Sequence, residues 1–114
     1  MNEKQMYSEV YAVLLKLDEE YTSRIPEDVF ETIKEQSDEA LMPEIDENKG
    51  LGDQGLSKDA IALMAYLRLE YWCDSEEEKR EFMEYLKANG EEMDNMIAAT
   101  NSLRGRLHLI RDNK

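Results

Sequence analysis

Cysteine, histidine and proline are scarce in this chain, and it contains no long apolar run. A single cysteine, Cys73, excludes an internal disulfide framework and fits a reducing compartment. The longest nearly apolar stretch, AIALMAYLRLEYWC, is interrupted by Arg68 and Glu70 and is too short to span a bilayer. The amino end, MNEKQMYSEV, lacks the basic stretch and apolar run of a targeting segment. We therefore expect a cytoplasmic protein that does not enter a membrane.

Basic residues are also few, because 14 Lys and Arg face 27 Asp and Glu, a net charge of -13. Residues 1–103 carry a net charge of -16, whereas residues 104–114 carry +3. An acidic body repels phosphate backbones and anionic lipid, so neither nucleic acid nor a membrane is an expected partner. A basic protein is attracted to such a surface. The alternative is that the acidity serves only solubility.

Apolar residues recur at spacings of three and four, which predicts an all-α fold in one domain covering residues 1–114. The predicted helices cover residues 7–21, 26–38, 58–73, 76–89 and 91–110. We expect a bundle of four to five helices, with a long glycine-rich loop over residues 39–57 between helices 2 and 3. Apolar residues on more than one face of the third helix indicate that other helices surround it.

Individual residues support several of these boundaries. Pro26 suits a first helical position, and Ser57 suits an amino-terminal cap. Ser75 and Glu78 have the spacing of a capping box, and Gly90 suits the end of a helix.

The loop segment IDENKGLGDQGL has the oxygen-rich composition of a calcium site but not its spacing. A helix-loop-helix calcium site that begins at Asp46 requires glycine at its sixth position and glutamate at its twelfth. Leu51 and Ser57 occupy those positions. We expect no calcium binding here, and we predict no metal and no cofactor for the chain.

No catalytic residue is predicted either. Carboxylates follow Cys73 directly and disfavour its thiolate, while His108 is the only histidine. The Glu-x-x-His motif of carboxylate metal sites in helical bundles does not occur. A ligand groove lined by tyrosines is an alternative to their packing at core edges; the six tyrosines are Tyr7, Tyr11, Tyr21, Tyr66, Tyr71 and Tyr85.

The last predicted helix carries a heptad-like stripe that includes Thr100. Because this helix is long for a small bundle, we expect part of it to project, and either to contact another chain or to dock weakly on its own domain. The basic residues beside the stripe either complement the carboxyl end of the helix or pair with the acidic body of a second copy. The candidate interaction residues are Met96, Leu103, Leu107, Ile110, Arg104 and Arg106.

Four segments between Tyr7 and Phe82 carry a resemblance: YSEVYAVLLKL, PEIDEN, LSKDAIALMAYLRLEYWC and DSEEEKREF. Together they resemble a group of small, uncharacterised, all-helical cytoplasmic proteins of low-GC Gram-positive bacteria of the clostridial (Firmicutes) type. The resemblance implies a bacterial helical domain. It implies no activity, cofactor or catalytic residue.

Three function hypotheses remain open at this point. The first is a non-enzymatic acidic module that binds a basic protein, as an inhibitor, an immunity protein or an adaptor does. The second is a self-associating structural or regulatory protein that uses the terminal stripe. The third, a small-molecule binder or enzyme built on tyrosines and carboxylates, has the least support from the sequence.

Overall fold

All regular secondary structure in the described chain is helical. A computed structural model describes the backbone of residues 2–112 and the side chains of residues 2–107, and no strand occurs in that part of the chain. None of its helices is both long and apolar enough to cross a membrane. The α-helices are α1 (Glu3–Leu14), α2 (Glu19–Thr22), α3 (Glu27–Gln36), α4 (Lys58–Leu67), α5 (Glu76–Ala88) and α6 (Gly90–Asp112).

The predicted caps of α4 and α5 are confirmed. The Ser57 hydroxyl accepts a hydrogen bond from the backbone N–H of Ala60 at 3.2 Å. The Ser75 hydroxyl accepts one from the backbone N–H of Glu78 at 3.1 Å. In return, the Glu78 carboxylate accepts from the N–H of Asp74, one residue before the cap. These local contacts fix the starts of both helices because they satisfy N–H groups that have no partner within the helix.

The predicted helix over residues 7–21 is wrong at both ends. It begins earlier, at Glu3, because the Asn2 side chain accepts a hydrogen bond from the N–H of Gln5 at 3.1 Å and caps it. It ends at Leu14, and a separate single turn, α2, follows Asp18. Asp18 is in an extended conformation and precedes two glutamates in the first turn of α2, a pattern that favours a new helix start.

The middle of the chain also differs from its prediction. The second predicted helix, residues 26–38, corresponds to α3, with Pro26 as its cap and not its first residue. The predicted loop over residues 39–57 contains two 3₁₀ turns, Glu39–Leu41 and Leu51–Asp53. The Gln54 side chain ties the second half of this segment together, because its amide donates to the carbonyl oxygens of Asp46 and Lys49.

The third predicted helix, residues 58–73, changes character along its length. After α4 the chain forms a π-helical segment, Arg68–Trp72, closed by a hydrogen bond of 3.0 Å from the N–H of Cys73 to the carbonyl of Arg68. The fourth predicted helix, 76–89, ends one residue earlier than expected. The fifth, 91–110, is longer at both ends.

Four helices, α1, α3, α4 and α6, enclose the core, and the most extensive contact is between α4 and α6. Helix α5 lies outside this group. It packs against α6 and the π-helical segment, and it buries only Leu86. The fully buried core side chains of the described residues include Met6, Tyr7, Val10, Ile33, Leu63, Leu67, Ala99 and Leu103.

Helix α6 contributes buried core residues from Met96 to Leu107. Its 23 residues extend roughly 34 Å at 1.5 Å per residue. The longest dimension of the molecule is 36 Å. The expectation of a projecting last helix is wrong as far as Leu107, because Met96, Leu103 and Leu107 are buried in the core.

Candidate functional site

An apolar groove with a volume of about 580 Å³ lies between α4 and α5. We call it the α4–α5 groove. One wall is formed by α4 and the π-helical segment, the other by α5, and the 3₁₀ turn Leu51–Asp53 and the start of α6 close its sides. Its lining residues on the two main walls are Ile61, Met64, Ala65, Arg68, Trp72, Glu78, Glu81, Phe82, Tyr85 and Leu86.

The floor of the groove consists of apolar side chains that belong to the core. Met64 and Leu86 are 5% and 2% exposed. Ala65, which also lines the groove and is partly buried, has the smallest side chain on the α4 wall. A small residue at this position leaves space that a larger side chain would occupy, so the groove has depth.

Aromatic rings form the end of the groove next to the π-helical segment. The Trp72 indole N–H donates to the Tyr21 carbonyl at 2.9 Å, which fixes the ring. The Arg68 guanidinium carbon lies 4.3 Å from the centre of the Phe82 ring, a cation–π arrangement. Phe82 and Tyr85 stack with their ring centres 6.2 Å apart. These contacts hold the wall rigid without covering it.

The opening of the groove is apolar and exposed to solvent. Ile61 and Tyr85 are 41% and 52% exposed, and Leu51, on the 3₁₀ turn, is 44% exposed. Single exposed apolar residues are ordinary, but three that surround one groove form a patch of the kind that marks an interaction surface.

Acidic side chains lie beside this apolar opening. Glu78, Glu81 and Glu92 line the groove, against one cation, Arg68, which is stacked on Phe82. Glu81 and Glu92 are exposed. The local charge therefore has the same sign as the acidic body of the chain, and it favours a cationic ligand.

A second cavity, of about 160 Å³, continues the groove toward the start of α4. It shares Ile61, Ala65, Leu86 and Glu92 with the first cavity, and Lys58 lines it as well. Lys58 pairs there with Glu91 at 2.9 Å, and both side chains are well exposed. The concave surface thus follows one face of α4 and of the π-helical segment, from Lys58 to Trp72.

The predicted interaction stripe lies elsewhere, in the core. Met96, Leu103 and Leu107 are buried among the side chains of α1, α3 and α4, so they are not free to contact another chain. Of the two expectations for this stripe, contact with another chain and docking on its own domain, these three positions show docking. The side chain of Ile110 lies outside the described residues.

The two predicted basic residues differ from each other. Arg104 is exposed. Arg106 donates to the Glu3 carboxylate at 2.7 Å and thereby joins α6 to α1. This hydrogen bond lowers the pKa of the Glu3 carboxyl below its ordinary value. Arg106 therefore has a partner within its own chain.

The tyrosines do not form a common site. Only Tyr85 lines the groove. Tyr7 is fully buried, and its hydroxyl is 2.8 Å from the Ser102 hydroxyl on α6. Tyr66 and Tyr71 pack edge to face, and burial raises the pKa of Tyr71 to about 12. The packing interpretation of the tyrosines is confirmed for Tyr7 and Tyr66, which are core residues.

The residues considered for catalysis or metal binding do not cluster in the described part of the chain. Burial raises the pKa of the Cys73 thiol, and the neighbouring Glu78 carboxylate raises it further, so the thiolate is disfavoured as predicted. Within the described part of the chain, no three His, Cys, Asp or Glu side chains come close enough together to hold a metal ion.

Sequence reasoning did not identify the groove. It predicted that other helices surround α4, whereas the face with Ile61 and Ala65 remains open because α5 packs on α6 instead. One signal was present. Helix α5 has few apolar residues. It buries Leu86, and Phe82 and Tyr85 alone are too few to cover a second face of α4.

The chain was compared with protein-family models, with curated proteins and with solved structures, and none of the three comparisons gave a match.

Proposed function

We propose that this protein is a non-enzymatic acidic module that binds a basic segment of another protein in the α4–α5 groove, as an inhibitor, an immunity protein or an adaptor does. One observation carries the proposal: exposed apolar side chains and glutamates surround the same groove. Apolar contacts supply affinity once the groove is dehydrated, and the carboxylates supply attraction and selectivity for cations.

The charge of the whole chain supports the same partner. A net charge of -13 attracts a basic protein over distances of about 10 Å at moderate salt. Because Glu81 and Glu92 lie at the groove itself, they orient a basic partner toward the apolar opening.

Self-association through the terminal stripe has less support from the structure than from the sequence alone. Its apolar residues Met96, Leu103 and Leu107 are in the core, and Arg106 is paired with Glu3. A second copy that used this stripe would have to open the fold first.

The test is a selection of peptides from a random display library on the immobilised full chain. We expect the enriched peptides to combine apolar residues with Lys or Arg. Their binding should be lost in Ile61→Gln and retained in Ile97→Gln. Ile97 is the matched control, because it is a similarly exposed isoleucine, at 49% against 41%, that does not line the groove.

The contribution of charge is tested with a second pair of variants. Replacing Glu81 and Glu92 by glutamine should weaken binding of the enriched peptides severalfold. Replacing Glu77 and Glu84, which are exposed but do not line the groove, changes the net charge equally and should weaken it less. Enriched peptides without basic residues, or equal binding to the Ile61 and Ile97 variants, would contradict the proposal.

A further inference from the structure

We infer that the occupant of the α4–α5 groove is a single amphipathic α-helix, with apolar residues on one face and Lys or Arg on the others. The inference rests on the proposed function and specifies the conformation of the bound segment. Four features of the groove support it: the spacing of the wall residues, the lack of free backbone partners, the length of the groove and its charge.

Both walls present residues at helical spacing. On the α4 side the groove is lined by Ile61, Ala65 and Arg68, followed by Trp72. These positions are separated by four, three and four residues. Such rows form the ridges that pack between the ridges of a neighbouring helix, at an interaxial distance of about 8–10 Å. A third helix laid between α4 and α5 meets a ridge on each side.

An extended segment would bring unsatisfied backbone groups into this apolar groove. The backbone groups of α4 and α5 are bonded within their own helices, and no strand edge occurs in residues 2–112 to which a peptide strand could be added. The Trp72 indole N–H is also occupied, because it donates to Tyr21. A helix satisfies its own backbone groups and avoids this cost.

The length of the groove sets the length of the bound helix. The α-helical part of the wall, Lys58–Leu67, extends roughly 15 Å at 1.5 Å per residue, and the π-helical segment Arg68–Trp72 lengthens the wall further. A helix of about 14 residues covers it and places apolar anchors at positions i, i+4, i+7 and i+11. The remaining faces of that helix lie next to Glu81 and Glu92, where basic residues are favoured.

The experiment uses three synthetic peptides of about 15 residues, of which the first two have identical leucine and lysine content. In the first, leucines occupy positions i, i+3, i+4, i+7 and onward in the same pattern, so that they cover one face of a helix. In the second, leucine and lysine alternate, which favours a strand. The third is the first with one central lysine replaced by proline. None contains tryptophan, so the fluorescence of Trp72, the only tryptophan of the chain, reports binding at the groove directly.

We expect the first peptide to bind at least about tenfold more tightly than the other two, because a central proline breaks a helix and alternation removes its apolar face. Its helix content, measured by circular dichroism, should rise on binding. Ile61→Gln should weaken binding of the first peptide at least severalfold, whereas Ile97→Gln should not.

Each contrary outcome identifies what has failed. Equal affinity of the three peptides, with loss in Ile61→Gln, overturns the helical occupant and leaves the proposed function standing. Equal affinity that is insensitive to Ile61→Gln overturns both. No binding by any peptide overturns the inference, and the display selection then decides the proposed function. If light scattering shows a dimer that Ile61→Gln converts to a monomer, the occupant is a second copy, and the inference is wrong.

Discussion

Helix α4 has two apolar faces, and the chain closes only one of them. Ala60, Leu63 and Leu67 are fully buried where α4 packs against α1 and α6. Ile61 and Ala65 lie on the other face, next to the α4–α5 groove, and Ile61 is 41% exposed. Apolar residues on the inner face of α4 therefore stabilise the fold, whereas apolar residues on its outer face remain available to a partner.

The difference arises from what lies opposite each face. Helix α6 presents a continuous row of buried residues, including Ala99 and Leu103, to the inner face of α4. Helix α5 contributes only Leu86 to the core and packs beside the groove. An apolar face with no complementary row opposite it cannot be covered by the same chain, and it remains a candidate contact surface.

The largest expected effect separates the two faces of α4 by stability. Leu63→Ala should destabilise the fold by about 3 kcal/mol, because it leaves a cavity among fully buried neighbours. Ile61→Ala should cost less than about 1 kcal/mol, because this side chain is partly in solvent and faces the groove. Urea unfolding followed by circular dichroism measures both. Equal losses would show that the groove face is part of the core.

The second effect concerns how α4 is held at its start. Glu9 is 4% exposed, and its carboxylate accepts from the backbone N–H of Ser57 at 2.6 Å and from the Gln5 amide. Glu9→Ala leaves a part-buried N–H without its partner, which should cost about 2 kcal/mol of unfolding free energy. Glu81→Ala, at an exposed site on the groove, is the control and should change stability little. If the two variants unfold at the same urea concentration, the anchoring role of Glu9 is refuted.

The third effect compares a tyrosine in the core, Tyr7, with a tyrosine at the groove, Tyr85. Tyr7→Phe removes a hydroxyl that lies 2.8 Å from the Ser102 hydroxyl and joins α1 to α6, so it should cost about 1 kcal/mol. Tyr85→Phe, at the groove, should be close to neutral because its ring is half exposed. Thermal unfolding of both variants decides between these expectations. A larger loss of stability for Tyr85→Phe than for Tyr7→Phe would contradict the assignment of Tyr7 to the core and Tyr85 to the groove.

The smallest expected effect is a dependence of the unfolding free energy on pH, caused by the Glu3–Arg106 pair that joins α1 to α6. The hydrogen bond from Arg106 lowers the pKa of the Glu3 carboxyl in the folded chain, although partial burial opposes it. The stabilisation is therefore fully present above the unfolded pKa of about 4.3 and is lost as the pH falls through the folded pKa. Because the two side chains are 42% and 40% exposed, we expect less than about 1 kcal/mol.

The measurement compares wild type with Glu3→Gln by urea unfolding at about pH 7 and about pH 3. The variant should be slightly less stable at the higher pH and nearly equal to wild type at the lower one. A constant difference at both pH values would show that the ionised pair does not contribute.

The sequence was sufficient for local features of the fold. The starts of α4 and α5 were predicted from Ser57 and Ser75, because a cap depends on residues within one turn. The break between α1 and α2 was missed although Asp18 carries a start signal, because the apolar spacing continues through it. Periodicity shows which residues are apolar on one face, but it does not show where a second helix begins.

The groove depends on tertiary contacts that the sequence pattern does not contain. Ile61 has the same spacing and polarity as core residues of α4, and only the position of α5 leaves it exposed. Leu103 is the opposite case: because α6 is long, its stripe was expected either to contact another chain or to dock weakly on its own domain, yet the residue is fully buried. Burial was therefore misjudged in both directions at positions where the partner helix decides it.

The most direct test of the central claim maps the contact surface by NMR. The full chain, labelled with ¹⁵N, is titrated with the tightest-binding leucine–lysine peptide, and amide chemical shifts are followed. We expect the largest changes at Ile61, Ala65, Phe82 and Tyr85, and little change on α1 or around Arg104. Changes concentrated at Arg104 and the end of α6, or spread evenly over the acidic surface, would contradict a binding face in the α4–α5 groove.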